Sequence, residues 1–394
     1  MNAVLTGLDV LTSDHFRSLR GRRLGVIGNQ ASVDRRMRHL VELLRTSPGL
    51  EVRALFGPEH GLEAAAQDMI RVAPDRDGRT GLPVHSLYGD DPASLHPTPE
   101  QLDGLDCLVF DLQDVGSRYY TFAATMLYAM EAAAPLGLSF VVLDRPNPLG
   151  GETVAGPTIR PGFESFVGAH PVPIRHGMTV GELARLYRVE RNIDIDLTVI
   201  PCAGLTRSML WRDTGLHWVA PSPNMPTPET AQVYPGGCLV EGTNLSEGRG
   251  TTRPFEWWGA PWLDGREIAL RVPPAPGVLL RPCTFRPTFH KHACRTCRGV
   301  QPHVTDPAAF DPIRLYTDLL AEARRQAPEL FAWRTEPYEF VSDPIAIDLL
   351  FGSSRERAAI EDGWGPDQRE GVWIEWDRES TEFAERRRPY LLYS

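Results

Sequence analysis

Val52-Arg53-Ala54-Leu55-Phe56-Gly57-Pro58-Glu59-His60-Gly61 runs a short apolar strand directly into a turn carrying a carboxyl group beside an imidazole. Gly57 and Gly61 permit backbone angles that other residues resist, and Pro58 fixes φ, so the turn is stiff. Open α/β sheets bind ligands just beyond the carboxyl ends of their strands. Glu59 is therefore expected at the mouth of a cleft, with His60 beside it. Taken alone, the stretch also fits an exposed turn whose glutamate only caps a helix. Recurrence of the pattern along the chain favours the cleft.

Upstream, Leu24-Gly25-Val26-Ile27 reads as a buried strand, followed by Met37, Leu40, Val41 and Leu44 at helical spacing. Downstream, Leu82 to Tyr88 reads as extended. Asp106 to Leu112 is a continuous apolar run of the kind buried on both faces. It ends in Gln113-Asp114-Val115-Gly116-Ser117-Arg118-Tyr119-Tyr120, and a helix with Phe122, Met126, Leu127 and Met130 on its core side follows. Ser139 to Leu143 is a further strand, ending in Asp144-Arg145-Pro146-Asn147-Pro148. Thr179-Val180-Gly181-Glu182 is a capping box opening a helix, and Leu197 to Ile200 is one more strand. Alternating strands and helices predict an α/β fold, a Rossmann-like, mostly parallel sheet covered on both faces. No Gly-x-Gly-x-x-Gly follows the first strand and no P-loop motif occurs, so a nucleotide cofactor is not expected.

From Trp218 to Gly259 the periodicity stops. This stretch is rich in amides, carboxyls and turns, yet it holds Trp218, Tyr234, Phe255, Trp257 and Trp258, which are too apolar for a disordered segment. Pro273-Pro274-Ala275-Pro276-Gly277 marks a boundary. The expected division is a catalytic domain over 1–272 and a smaller α+β domain over 273–394 closing the cleft. The smaller domain is expected to hold a helix over Asp311 to Gln326 and a strand near Val372 to Trp376. A chain of 394 residues exceeds the usual size of a single core, which agrees with two domains.

A net charge of −10 and a pI near 5.6 leave no basic stripe for nucleic acid. No apolar run is long enough to span a membrane. The first residues lack a basic n-region, and six cysteines in a long chain do not form a disulfide scaffold, so a cytoplasmic location is expected. His290, His292, Cys294 and Cys297 have zinc-like types, but all four lie in one local run, and no metal is expected.

The strand ends present Glu59, His60, Asp111, Asp114, Arg118, Tyr119, Asp144, Arg145 and Asn147. The aromatic loop adds Asn224, Glu241, Asn244, Glu247 and Arg249. Carboxyls, amides, arginines and aromatic faces together suit a sugar. A carboxyl pair suits glycosidic cleavage, one group protonating the leaving oxygen and the other acting on water or the anomeric carbon. Asp111 and Asp144 fit helix caps equally well, and Asp114 with Arg118 fits an i, i+4 pair.

Gly57 to Gly61, Asp111 to Thr121, Asp144 to Pro148, Pro223 to Thr227 and Glu241 to Thr251 together resemble the exo-acting β-N-acetylmuramidases, long carried as a domain of unknown function. The likeness extends to Lys291-His292 and Gly299 to Asp306; Leu62 to Asp68 departs from it. The resemblance implies a Rossmann-like domain with a smaller C-terminal one and an active site in the cleft between them. It implies release of N-acetylmuramic acid from the non-reducing end of peptidoglycan fragments, without metal or nucleotide. It places the family's catalytic glutamate on Glu59. From the residues themselves, Glu59 is expected as the general acid, with Asp114 or Glu241 as the second carboxylate. Another exo-glycosidase for an acidic or N-acetylated sugar is the alternative, and a carbohydrate-binding protein without turnover is the alternative of a different class.

Overall fold

The computed structural model of the chain describes residues 3–67, 70 and 75–394, so Met1, Asn2 and Asp68 of the stretches above lie outside the described residues. Its organising element is a seven-stranded sheet. The strands are β1 (Arg23–Gly28), β2 (Glu51–Gly57), β3 (Asp75–Arg76), β4 (Pro83–Ser86), β5 (Cys107–Asp111), β6 (Ser139–Leu143) and β7 (Leu197–Ile200). Their spatial order is β3-β4-β2-β1-β5-β6-β7, with every neighbour parallel except β3 against β4. The chain thus starts at the centre, builds outward through β2 and β4, then returns to add β5, β6 and β7 on the other side. That reversal creates the crevice at the carboxyl edge where α/β sheets bind ligands.

β5 and β6 are buried at every position because both sheet faces are covered. On one face, Phe110, Phe140 and Val142 pack with Met126, Met130 and Leu183 from the helices Phe122–Ala133 and Val180–Glu190. On the other, Val26, Val109 and Val141 meet Leu8, Leu11, Leu40 and Leu44 from the helices Gly7–Ser13 and Leu40–Thr46. The Thr179 capping box is formed as its spacing predicts.

A second, three-stranded antiparallel sheet has the order β8 (Trp258–Ala260), β10 (Cys297–Val304), β9 (Val278–Phe285). Its strand β8 precedes the proline-rich stretch. The helix Pro312–Gln326 is capped by Asp311, whose carboxylate accepts from the backbone of Ile313 and Arg314. The strand expected near Val372 to Trp376 is instead part of a 21-residue helix, Pro366–Arg386. Val372, Trp376 and Phe383 are buried at helical spacing, while Ile374, whose alternation with them imitates a strand, is exposed.

Charged residues at the strand ends hold the loops in place. The Arg145 guanidinium forks onto the Asp111 carboxylate at 2.5 and 2.9 Å and also donates to the Val33 carbonyl, tying the ends of β5 and β6 to the loop after β1. Both partners are buried. Removing one leaves the other unpaired in the interior, so Arg145→Ala is expected to cost about 3–5 kcal/mol of unfolding free energy by denaturant titration. A loss below about 1 kcal/mol would contradict this role.

Candidate active site

Glu59 stands in the turn immediately after β2. His60 and Gly61 both take left-handed backbone angles, φ 71° and 81°, and reverse the chain there. The His60 Nδ1 atom is 2.9 Å from the Ala66 carbonyl, which braces the turn. Glu59 is buried, and its Oε2 accepts a 2.7 Å hydrogen bond from the Thr121 hydroxyl. Thr121 occupies the N-cap of the helix Phe122–Ala133 yet makes no side-chain capping bond. Its hydroxyl serves the carboxylate instead.

Around Glu59 lies a recess lined among others by His60, Tyr119, Asn224, Glu241, Arg249 and Glu339. Glu241 sits in a 3₁₀ turn, Cys238–Gly242, that follows directly on the helix Pro228–Gly237. One of its oxygens accepts from Arg249 Nη2 and the other from the Tyr338 hydroxyl, each at 2.6 Å. Arg249 lies over the Phe255 ring, 5.1 Å from its centroid, with Nε 3.4 Å from Glu247 Oε1. Asn224 donates to Gln67 Oε1 at 2.8 Å, linking the aromatic loop to the chain after the Glu59 turn. Tyr119 contributes its ring, since its hydroxyl donates to the Pro235 carbonyl.

Two expected residues stand behind this wall. Glu247 is buried, with Lys291 Nζ at 3.0 Å and His290 Nδ1 at 3.0 Å; against that burial, the Lys291 charge, the His290 hydrogen bond and the Arg249 charge hold its carboxyl far below the usual range. Asn244 bonds the Leu330 carbonyl and the Ala332 backbone N–H, joining the loop to the C-terminal part of the chain.

Six expected residues do not line the recess. Arg118 spends its guanidinium on the carbonyls of Pro157, Val172 and Leu350, and burial lowers it to about 10. Asp144 accepts from the Thr179 hydroxyl, the Gly181 backbone and the Tyr393 hydroxyl, and burial raises it to about 6. Asn147 bridges the Met178 carbonyl and the Leu149 backbone N–H. Asp111 and Arg145 form the pair described above, with Arg145 facing a separate recess of about 630 Å³. Asp114 and Arg118 are no helical pair: the Asp114 carboxylate accepts from the Gly116 backbone N–H at 2.6 Å and lies 3.7 Å from His176 Nε2.

Thr121, Tyr338 and Glu339 were missed as site residues. Tyr338 and Glu339 arrive from 83 residues or more beyond the rest of the recess, and Glu339 accepts from the Tyr88 hydroxyl at 3.0 Å. No local pattern announces them. Thr121 could have been found as the last residue of the Asp111 to Thr121 motif, at the N-cap of the helix that follows. Among the described residues no three His, Cys, Asp or Glu side chains converge as metal ligands, with Cys294 exposed and Cys297 buried.

Family models for the N-terminal and C-terminal parts of exo-β-N-acetylmuramidase NamZ match residues 24–229 and 232–393. The chain belongs to the NamZ family. It is 44% identical over 392 residues to the peptidoglycan β-N-acetylmuramidase NamZ of Bacillus subtilis, covering 99% of this chain and 91% of that one. Two crystal structures of DUF1343 family proteins from Bacteroides fragilis share the fold. One has a TM-score of 0.88 at 32% identity and the other 0.75 at 29%, each covering all of this chain and 99% of its own.

Asp114 offers a pH test of this NamZ family member. Burial raises its carboxyl to about 7 and lowers neighbouring His176 to about 3, so at mildly acidic pH, between the two values, they face each other largely uncharged. An unfolded aspartate titrates near ~3.9. The contribution of protonated Asp114 is thus fully present below about pH 4 and is lost as pH rises through about 7. Asp114→Asn, neutral throughout, should gain about 2–3 kcal/mol on the wild type between pH 5 and pH 8, at ~1.4 kcal/mol per unit. Denaturant titrations at the two pH values that show no widening gap would contradict a neutral Asp114.

Proposed function

We propose that this chain is an exo-acting glycoside hydrolase that releases N-acetylmuramic acid from the non-reducing end of peptidoglycan fragments, with Glu59 as general acid. The observation that carries the reading is the buried Glu59 carboxyl, hydrogen-bonded to Thr121, in one recess with Glu241 and Arg249. The similarity to the B. subtilis enzyme supports the substrate class. In this mechanism Glu59 delivers its proton to the glycosidic oxygen while Glu241 acts on the anomeric side, on water or on the carbon itself. Thr121 fixes which way the Glu59 carboxyl faces. Arg249, already oriented by Glu241 and Glu247, meets the lactyl carboxylate that distinguishes this sugar from N-acetylglucosamine.

Residues 1–272 supply most of the recess, and Tyr338 and Glu339 close it from the C-terminal part. We place the protein in the cytoplasm, acting on small imported muropeptides during cell wall recycling. All six cysteines are free, which suits a reducing compartment, and no helix among the described residues is long and apolar enough to cross a membrane.

The test uses aryl β-N-acetylmuramides with good and poor leaving groups. Glu59→Gln keeps the shape but cannot supply a proton. It should slow the poor leaving group roughly 10²–10⁴-fold, the usual span of general acid catalysis, and the good one much less. Equal loss on both would make Glu59 something other than the acid, and normal turnover would move the site elsewhere. Arg249→Met should cost about 2–5 kcal/mol of preference for the muramic over the glucosamine sugar, seen as the ratio of kcat/KM values. An unchanged ratio would mean that another group holds the carboxylate.

A further inference from the structure

The chain carries 40 arginines and a single lysine, Lys291. Wherever else a cation is needed, on the surface or in the interior, arginine supplies it. Position 291 differs in geometry. The Lys291 Nζ atom lies 3.0 Å from Glu247 Oε2, 3.2 Å from the Val240 carbonyl and 3.3 Å from the Glu241 carbonyl. Three acceptors surround a group with three N–H donors. An ammonium can aim its donors at such a tripod, whereas the donors of a guanidinium lie in one plane.

The loop that delivers this lysine is itself held in an unusual shape. His290, His292 and Cys294 all take left-handed backbone angles, φ 66°, 55° and 61°, which non-glycine residues adopt at a cost. His292 Nε2 sits 2.8 Å from the Asn244 carbonyl and His290 Nδ1 sits 3.0 Å from Glu247 Oε1. The loop between β9 and β10 is therefore pinned against the back of the recess wall at three successive residues.

We infer that Lys291 is a positioning residue: its ammonium fixes the Val240–Glu241 backbone and the Glu247 carboxylate from behind, and so sets where Glu241 and Arg249 present their charges to the sugar. The inference rests on the hydrolase reading for its substrate. The connection runs from Lys291 to Glu247, from Glu247 to Arg249 and from Arg249 to Glu241. Lys291 also holds the main chain of Glu241, so both ends of that residue depend on it.

The test compares wild type, Lys291→Arg and Lys291→Met on aryl β-N-acetylmuramide and β-N-acetylglucosaminide, with calorimetric binding of N-acetylmuramic acid measured alongside. Both variants should lose at least tenfold in kcat/KM on the muramide and bind the acidic sugar at least fivefold more weakly. The glucosaminide should suffer less, because Arg249 has no carboxylate to meet there. Arginine should not rescue. An inactive wild type that still binds the acidic sugar would contradict hydrolysis alone, and the binding ratios would still decide the role of Lys291. Lys291→Arg within twofold of wild type, or equal losses on both sugars, would overturn the inference. Should neither variant fold, complete reductive dimethylation of the native wild type, followed by intact mass, replaces them. Dimethyl-lysine keeps its charge but only one N–H donor, so the same loss of muramic preference is expected. An unchanged preference at full modification overturns the inference.

Discussion

Two anions and two cations are held together in and behind one wall of the recess: buried Glu241, Glu247 and Arg249 with the half-buried Lys291. Each ion taken alone would cost several kcal/mol to bring out of water. The four are tolerable as a set because every charge faces an opposite one and the remaining Lys291 donors find carbonyls. That balance constrains everything around it. It needs the 3₁₀ turn that presents Glu241, the strained loop that brings Lys291, and the Tyr338 hydroxyl that takes the last carboxylate oxygen. An arginine held this way is pre-oriented and partly stripped of water, the condition under which it recognises a carboxylate most strongly.

Glu59 lines the same recess and is supported by different physics. Its position comes from the parallel sheet, through β2 and the reversal at His60 and Gly61, and its orientation comes from Thr121 at the end of the β5 connection. The acid is thus held by the rigid sheet, and the charged groups by the loops and the C-terminal part. The buried Asp111–Arg145 pair and the Arg118 clamp keep the intervening loops fixed without touching the recess.

Much of this was legible in the residues. Continuous apolar runs at 107–111 and 139–143 could only be strands covered on both faces, and the Thr179 box announced its helix. The Val372 to Trp376 segment misled because Ile374 alternates with two buried neighbours, and periodicity over five residues does not separate a strand from an amphipathic helix. Glu59, Asn224, Glu241 and Arg249 were legible because each sits in a polar, turn-rich stretch at an element's end. Asp144 and Asn147 sit in equally polar stretches and serve the backbone instead. Residue type and local pattern are identical in the two cases, and only the third dimension separates a side chain facing the recess from one facing a loop. Tyr338 and Glu339 carry no local pattern at all.

The most direct measurement is a crystal structure of Glu59→Gln with N-acetylmuramic acid bound. One sugar is expected in the recess, its lactyl carboxylate on Arg249, its anomeric oxygen beside residue 59 and Glu241 next to the anomeric carbon. A sugar bound instead in the separate recess beside Gln113 and Arg145, or one whose carboxylate avoids Arg249 while residue 59 faces away from the anomeric centre, would contradict it.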